Sequence, residues 1–375
     1  MRVALVHDWL TGLRGGERVL HEHARLFPQA ELYTLVHVRG TTTPEIEALP
    51  TAASPLSRWP GADRHYRKWL PLFPWAVSRL KIPEGTELVL STSHAVAKGI
   101  PVPPGALHVS YCFTPMRYVW DQADAYLGTG AFRALASPLV AGLRRWDVRS
   151  SGIDRVHRFI AISETVRERI RRHYDRSALV IFPPVDVDRF RSRKEEPEDF
   201  FLMVGGFVPY KREDLALEAF AELGLPLVVA GDGPGRAALE ARAPGNVRFA
   251  GRVSDEELAS LYRRCRALVY PQEEDFGIIP VEAQAAGRPV IAFGRGGASE
   301  TVVPPDDPKG RAPTGVHFAE QTVPCLAGAV ESFRQRSDEF DEEAIRAHAE
   351  AFGVPRFHRE MREALDRTLA EGPVL

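Results

Sequence analysis

Two patterns of apolar and polar positions alternate along the chain, and both recur in each half. Short apolar runs of the kind found in buried parallel strands alternate with stretches in which apolar residues recur every three or four positions, as in helices. The runs are RVALVHDW, AELYTLV, ELVLSTS, LHVSYC and RFIAIS in the first half, and FFLMVGG, PLVVAG, NVRFAG, ALVYP and PVIAF in the second. The alternation predicts two α/β domains, each with a parallel sheet covered by helices.

The boundary between the domains is predicted in the stretch FPPVDVDRFRSRKEEPED, where prolines and charges interrupt the pattern between about 182 and 199. A chain of 375 residues also exceeds the size at which one core keeps growing. We predict an N-terminal domain over 1–185, a C-terminal domain over 186–354, and a final helix over 355–375 that returns to the first domain. Ligands of such sheets bind at the carboxyl ends of the strands. We therefore expect two doubly wound, Rossmann-like domains facing a central cleft.

Composition is that of an ordinary globular enzyme, with 44% hydrophobic and 26% charged residues. No apolar run approaches the ~20 residues of a membrane span, and the opening MRVALVHDW predicts a strand rather than a leader peptide. The cysteines are odd in number and widely spaced, at Cys112, Cys265 and Cys325. Neither a disulfide framework nor a zinc site is indicated, and we expect a cytoplasmic protein.

The formal net charge of −2 hides an asymmetry between the two halves. Residues 1–185 contain 24 Lys and Arg against 16 Asp and Glu, or +8, and the remainder contains 24 against 34, or −10. A basic half indicates an anionic partner, such as a membrane surface or a phosphorylated substrate, or else only a solvated basic face. Nucleic acid is not expected, because no basic cluster interleaved with stacking aromatics follows one element.

Residues 57–83, SRWPGADRHYRKWLPLFPWAVSRLKIP, mix aromatic rings with cations. Such a mixture is typical of a segment that lies in a membrane interface, with the rings at the headgroup boundary and the charges on anionic lipid. The alternative is a pair of core-packed helices with a basic outer face. The candidate membrane or acceptor-side residues are Trp59, Arg67, Lys68, Trp69, Phe73 and Trp75.

The stretch EDFGIIPVEA, residues 274–283, places two carboxylates eight positions apart directly after the predicted strand ALVYP. Pro280 suits the first turn of a helix, which puts Glu274 in the preceding loop and Glu282 in the first turn. Gly277 allows backbone N–H groups to approach a ligand, and a helix start favours phosphate. Acids beside such a site would bind hydroxyls, which predicts a nucleotide sugar. The alternative is a carboxylate favoured by the helix dipole and an unrelated loop acid.

The longer stretch EEDFGIIPVEAQAAGRPVIAFGRGGASETV resembles the donor-binding region of retaining glycosyltransferases of family 4, which have the GT-B fold. VALVHDWLTGLRGGERVL, SYCFTPMRYVWDQ, FIAISETVRERIRRHY, IFPPVDVDRF and VGGFVPYKREDLALEAF resemble the bacterial mannosyltransferase-like branch of that family. The resemblance covers nearly the whole chain, and the motifs keep the order that they have in the family.

This resemblance implies roles for individual residues. Glu282 is expected to bind the ribose hydroxyls, Glu274 to face the hexose, and Lys211 to bind the diphosphate. Lys211 is one of six lysines in a chain with 42 arginines. Backbone groups of three further residues, Phe276, Gly277 and Ile278, are expected to hold the sugar and its phosphates.

The resemblance also implies donor contacts outside that stretch. Gly15 and Gly16 stand at the start of the predicted helix ERVLHEHARLF, where backbone N–H groups are expected to face the diphosphate. The alternative is a glycine pair that only starts the helix. The base is expected near Arg252 and Val253, which follow the strand NVRFAG.

The chain departs from the family pattern at two positions. Gly206 stands where relatives have an arginine beside the donor diphosphate, and Phe113 stands where they usually have a histidine. The first change removes a cation, for which Arg212 or Arg295 is a candidate replacement. The second removes a polar group at a catalytic position.

The expected function is a retaining glycosyltransferase that moves a hexose, mannose from GDP-mannose, to a glycan or lipid-linked saccharide. No metal-ligand cluster is recognisable, so we expect neither a metal nor a cofactor, and cations of the protein would stabilise the leaving diphosphate. The expected location is cytoplasmic or peripheral on the inner face of the membrane. The alternatives are a nucleotide-sugar-binding subunit without turnover and a nucleotide-sugar epimerase of the same fold.

Overall fold

A computed structural model describes residues 1–121, 131–191 and 195–372, with the backbone alone for 131–135. The chain divides into two compact units, one formed by Met1–Pro184 with Phe357–Leu375 and the other by Val185–Arg356. Residues 192–194 of the predicted interdomain stretch lie outside the described residues.

The first unit contains a seven-stranded sheet within its described residues, and all neighbouring strands are parallel. Its strands are β1 Val3–Leu10, β2 Glu31–His37, β3 Thr51–Ala53, β4 Leu88–Ser93, β5 Leu107–Cys112, β6 Arg158–Ala161 and β7 Ala178–Val180. Their order across the sheet is β3-β2-β1-β4-β5-β6-β7. The order reverses between β1 and β4, and in doubly wound sheets ligands bind at that point.

The helices of the first unit begin where the sequence supplies caps. The backbone N–H of Arg14 donates to Glu17 at 3.0 Å at the start of the first long helix, and Ser163 accepts from Val166 N at 3.1 Å at the start of another. The α-helices described are Gly15–Leu26, Pro44–Glu47, Ala62–His65, Phe73–Ser78, Ala131–Ser150 and Glu164–Tyr174. Pro55–Arg58, Tyr66–Leu72 and Ala97–Gly99 are 3₁₀ helices.

The second unit contains a six-stranded parallel sheet within its described residues. Its strands are β8 Phe201–Gly205, β9 Leu227–Gly231, β10 Val247–Gly251, β11 Leu268–Tyr270, β12 Val290–Phe293 and β13 Gly315–Phe318. Their order is β10-β9-β8-β11-β12-β13, so the reversal lies between β8 and β11.

Helices connect the strands of the second unit. The α-helices described are Asp188–Arg191, Glu213–Leu223, Arg236–Glu240, Asp255–Arg264, Ile278–Ala285, Ala298–Thr301, Val323–Gln335 and Glu342–Glu350, and Pro209–Lys211 and Ser337–Glu339 are 3₁₀ helices. The last helix, Val354–Glu371, begins in the second unit and carries the chain back to the first at Phe357.

Each sheet packs against its helices through aromatic and aliphatic side chains. Phe201 of β8, for example, makes edge contacts with Phe220 and Phe333, whose ring centroids lie 5.3 and 6.0 Å away. In the first unit Trp9 packs against Tyr66 and Phe73. The prediction of two doubly wound parallel sheets is confirmed, and all ten predicted strands are present.

Among the described helices, none combines the length and the apolar character that crossing a membrane requires.

Candidate functional site

Two side chains predicted to act in donor binding meet at the reversal point of the second sheet. Lys211 follows β8 in the 3₁₀ helix Pro209–Lys211, and Glu274 follows β11. Because β8 and β11 are neighbours, the carboxyl ends of these strands bring together residues that are 63 positions apart. The ammonium of Lys211 donates to Oε1 of Glu274, and both side chains are largely buried.

The second oxygen of Glu274 is held from within the sheet. Tyr270, a buried residue at the end of β11, donates its hydroxyl hydrogen to Oε2 at 2.7 Å. Burial, and then the charge of Glu274, raise the pKa of Tyr270 well above its ordinary value. Burial is the largest single influence on the pKa of Lys211 and lowers it, but the charge and hydrogen bond of Glu274 together with Tyr210 and Glu213 raise that pKa above its ordinary value. The cluster therefore contains a fixed carboxylate and a permanently charged ammonium.

Gly277 forms the start of the neighbouring helix. Its φ of 81° is a left-handed conformation that favours glycine, and a Cβ there would lie 2.9 Å from the hydroxyl oxygen of Tyr270. The helix runs over Ile278–Ala285, two residues earlier than expected, so Glu282 lies in its second turn and the predicted first-turn position is wrong. The first backbone N–H groups of a helix have no partner within it, which makes this start suitable for an anion.

Glu282 is buried, with 7% of its surface exposed, and accepts a hydrogen bond from Tyr262 at 3.0 Å. Tyr262 lies on the helix Asp255–Arg264 and is itself buried. The two carboxylates are thus both oriented by tyrosine hydroxyls from neighbouring elements, a relation that the sequence pattern did not reveal.

The loop after β12 packs directly on the loop that contains Glu274. Gly297 donates its backbone N–H to the carbonyl of Glu274 at 2.8 Å, and a Cβ on Gly297 would overlap the carbonyl of Phe276. A Cβ on Gly296 would likewise overlap the carbonyl of Glu274. Because only glycine permits this approach, Gly296 and Gly297 fix the backbone of Glu274 and Phe276. Sequence reasoning missed this role of the glycines.

Gly206, the first departure from the family pattern, lies in open space after β8. No atom lies within 4 Å of the position that a Cβ would take there. Arg212, a proposed replacement cation, directs its Nε to Asp214 at 3.4 Å. Arg295, the other candidate replacement cation, is exposed, and its guanidinium lies over the ring of Phe293. The guanidinium groups of both thus already have partners in the second unit.

The predicted base-binding residues lie directly after β10, with Arg252 exposed and Val253 half-buried. In the first unit, the helix Gly15–Leu26 begins two residues earlier than the predicted ERVLHEHARLF, so Gly15 and Gly16 lie in its first turn and not in the preceding loop. A Cβ on Gly16 would touch the rings of His7 and Phe113 at 3.5 Å.

Phe113, the second departure, follows β5 and is half-buried. Its ring makes an edge contact with Tyr111, at 5.7 Å between centroids, and lies 6.2 Å from His94. Phe113 therefore lies among the rings of His7, His94 and Tyr111 at the carboxyl edge of the first sheet.

The aromatic and basic stretch contains both exposed and core residues. Trp59, Leu72 and Trp75 are 41%, 38% and 40% exposed, and Arg67 and Lys68 are also exposed. Trp69 is half-buried and makes an edge contact with Trp59.

Phe73 must be corrected as a candidate interface residue, because only 1% of its surface is exposed and it packs on Trp9. In the helix Phe73–Ser78, Phe73, Ala76 and Val77 share the buried face, and Trp75 points away from it. Two neighbouring aromatics of one short helix therefore have different environments.

The chain is similar to known proteins in part of its sequence and in its fold. Residues 184–350 match the family model described as glycosyl transferases group 1. The chain is 31% identical over 172 residues to the O-antigen chain mannosyltransferase C of Escherichia coli, which covers 40% of this chain and 45% of that protein. It is 31% identical over 151 residues to an uncharacterized glycosyltransferase of Methanocaldococcus jannaschii, covering 39% and 42% respectively. The chain thus spans less than half the length of either relative.

Among solved structures, the chain is similar to the Anabaena protein HepE in complex with UDP. The TM-score is 0.69 at 15% identity, covering 98% of this chain and 100% of HepE. This likeness confirms the predicted GT-B fold class. Lys211, Glu274 and Glu282 lie in the second unit, within the residues 184–350 that match the glycosyl transferases group 1 model.

Proposed function

We propose that the protein is a metal-independent, retaining hexosyltransferase that moves mannose from GDP-mannose to a saccharide or lipid-linked saccharide. The observation that carries the proposal is the cluster of Lys211, Glu274 and the glycine-started helix at the reversal point of the second sheet. The match of residues 184–350 to glycosyl transferases group 1 supports the reaction class. The similarity to a mannosyltransferase of E. coli supports the sugar.

In this reaction the bond between the anomeric carbon and the diphosphate breaks while the acceptor oxygen bonds the same face of that carbon. The acceptor proton passes to an oxygen of the leaving diphosphate. Lys211 and the first N–H groups of the helix Ile278–Ala285 stabilise the negative charge that develops on the diphosphate. Glu274, fixed by Tyr270, orients hexose hydroxyls, and Glu282 binds the ribose.

Donor binding is tested by calorimetry with GDP-mannose, UDP-glucose and ADP-glucose, in the presence and absence of a chelator. Glu282→Ala is expected to weaken binding of the preferred donor at least tenfold, because hydrogen bonds of ~1.5–3 kcal/mol to a charged group are lost. Glu256→Ala, at an exposed position of the second unit, is the matched control. Unchanged donor affinity in Glu282→Ala would contradict the placement of the ribose.

A nucleotide-sugar-binding subunit without turnover is the second candidate, and the apolar ring of Phe113 together with the open space at Gly206 favours it. Gly206→Arg is sterically tolerated because nothing lies near its Cβ position. A new contact to the diphosphate of ~1.4–2.8 kcal/mol in the transition state would raise kcat about ten- to a hundredfold. Turnover by the wild type identifies the transferase, whereas donor binding with turnover only in Gly206→Arg identifies the subunit.

We also propose that the first unit binds an anionic membrane surface through the exposed residues Trp59, Leu72 and Trp75 and their basic neighbours. The triple replacement of these three residues by serine is expected to abolish sedimentation with phosphatidylglycerol vesicles while the far-UV circular dichroism stays unchanged. Phe73→Ala is expected to destabilise the unit by ~3–5 kcal/mol instead, because it leaves a cavity in the core. Undiminished vesicle binding by the triple variant would contradict the proposed surface.

A further inference from the structure

A histidine and an aspartate form a pair at the reversal point of the first sheet. Neither residue has a role in the function proposed above. Asp8 lies on β1, and His94 follows the last residue of the neighbouring strand β4. Ligands of doubly wound sheets bind at the carboxyl ends of the strands on either side of this point. The pair thus occupies the position in the first unit that Lys211 and Glu274 occupy in the second.

The carboxylate of Asp8 is completely buried and has a full set of donors. Its Oδ1 accepts the backbone N–H groups of Val96 and Ala97, each at 2.7 Å. Its Oδ2 accepts those of His94 and Ala95, at 2.7 and 2.9 Å. Burial would raise the pKa of Asp8, but His94 and these donors lower it below its ordinary value. The carboxylate is therefore ionised and fixed in one orientation.

The imidazole of His94 is oriented by this carboxylate. Nδ1 of His94 lies 3.2 Å from Oδ2 of Asp8, which favours the tautomer with its hydrogen on Nδ1. Nε2 then carries a lone pair, and none of the hydrogen bonds found within residues 1–121, 131–191 and 195–372 uses it. The side chain is 24% exposed, so a ligand can reach the ring.

The surroundings keep the ring neutral. Burial is the largest influence on the pKa of His94 and lowers it; Asp8 opposes this, and the positive charges of Arg117, Arg67 and Lys98 add to the lowering. A neutral imidazole with a lone pair on Nε2 accepts a hydrogen bond from a hydroxyl group.

Aromatic rings flank the imidazole. Trp9 makes an edge contact with it at 4.3 Å between centroids, and Phe113 lies 6.2 Å away. Neither Phe113 nor the buried Trp9 presents a hydrogen-bond acceptor beside His94. Nε2 thus lies beside aromatic rings that do not compete for a hydroxyl hydrogen, and aromatic walls with a few placed polar groups are typical of small-molecule sites.

We propose that His94 binds a hydroxyl of the acceptor saccharide in the first unit by accepting its hydrogen bond at Nε2, and that Asp8 is the positioning residue that holds the required tautomer. This inference rests on the proposed function and names the side chain that recognises its acceptor. The ligand class is a neutral pyranoside.

The test uses the full chain labelled with ¹⁵N histidine and long-range ¹H–¹⁵N correlation spectra at pH 7.5. Methyl α-D-mannopyranoside and methyl α-D-glucopyranoside serve as the probes. We expect the Nε2 signal of His94 to be that of an unprotonated nitrogen and to shift saturably with at least one pyranoside. His94→Gln is expected to weaken the binding of that pyranoside about tenfold, as loss of one hydrogen bond predicts.

His21→Gln is the matched control, because His21 has a comparable exposure of 22% in the same unit and is bound to Thr43. Asp8→Asn is expected to move the hydrogen of His94 partly to Nε2 and to weaken pyranoside binding. If Asp8→Asn fails to fold, the His94→Gln variant still tests the proposal. A hydrogen on Nε2 in the wild type, no shift with either pyranoside, or equal loss in His21→Gln would overturn the proposal.

Binding of GDP-mannose is measured on the same samples, so that the two proposals fail separately. Pyranoside binding at His94 without donor binding supports the acceptor site and contradicts the transferase. Donor binding without any pyranoside response at His94 leaves the transferase intact and overturns the acceptor site.

Discussion

Replacing Lys98 by methionine is expected to destabilise the first unit by about 3 to 5 kcal/mol, the cost of leaving one member of a buried ion pair unpaired. Lys98 is 1% exposed, and its ammonium donates to Asp147 at 2.5 Å and to the carbonyl of Ala95 at 2.9 Å. Asp147 is completely buried and also accepts from Trp120 and Tyr174, each at 2.8 Å. Without the ammonium, two neutral donors face an uncompensated carboxylate.

Asp147→Asn alone is expected to cost a similar amount, because it leaves the ammonium buried without its counter-ion. The double variant Lys98→Met/Asp147→Asn removes both charges and keeps an acceptor for Trp120 and Tyr174, so it should be more stable than either single variant.

The measurement is urea unfolding followed by tryptophan fluorescence, with Lys81→Met, at an exposed position, as the control expected to stay within ~0.5 kcal/mol. For a unit of about 200 residues the single variants should lower Tm by about 6 to 20 °C. The reasoning is refuted if Lys98→Met costs less than ~1 kcal/mol or if the two changes are additive within ~0.5 kcal/mol.

Two further changes probe the site and the pH dependence. Tyr270→Phe removes a hydrogen bond to the carboxylate that pairs with Lys211 and should cost the second unit ~1.5–3 kcal/mol in urea unfolding, whereas the exposed control Tyr210→Phe should cost less than ~0.5 kcal/mol. Burial lowers the pKa values of His7 and His23 to about 3, whereas both residues titrate near pH 6.5 in the unfolded chain. The free energy of unfolding is therefore unaffected by these residues above pH 6.5 and decreases as the pH falls below it, by roughly 2 kcal/mol for each histidine at pH 5. His23→Phe should remove its share of this acid sensitivity between pH 7.5 and 5, and an unchanged pH profile would show that His23 is not buried in its neutral form.

The sequence by itself determined the fold class, because the side chains of a buried parallel strand are apolar on both faces and leave a continuous run in the chain. All ten such runs are strands in the structure. The three strands without a predicted run, β3, β7 and β13, each lie at an edge of a sheet. Residues 51–53 and 178–180 are mostly exposed or half-buried, so their strand character comes from pairing with a neighbour and not from burial.

The residue types of the candidate site were also accessible from sequence, since EDFGIIPVEA and the lysine of VPYKRED carry their chemistry in short motifs. Their spatial relation was not. Lys211 and Glu274 meet because β8 and β11 are adjacent in the sheet, and the hydroxyl of Tyr270 reaches the same carboxylate from inside it. The Asp8–His94 pair depends in the same way on the adjacency of β1 and β4.

The environment of each aromatic residue in 57–83 was likewise decided by the tertiary structure. Composition gave Phe73 and Trp75 equal weight, but the 100° rotation per residue of a helix turns Phe73 to the core and Trp75 to the solvent. Which face of a short helix is covered depends on the side chains that pack against it, here Trp9 from β1. Local sequence specifies an element and its chemistry, whereas contacts between residues far apart in the chain determine which side chains are buried, paired or free to bind a ligand.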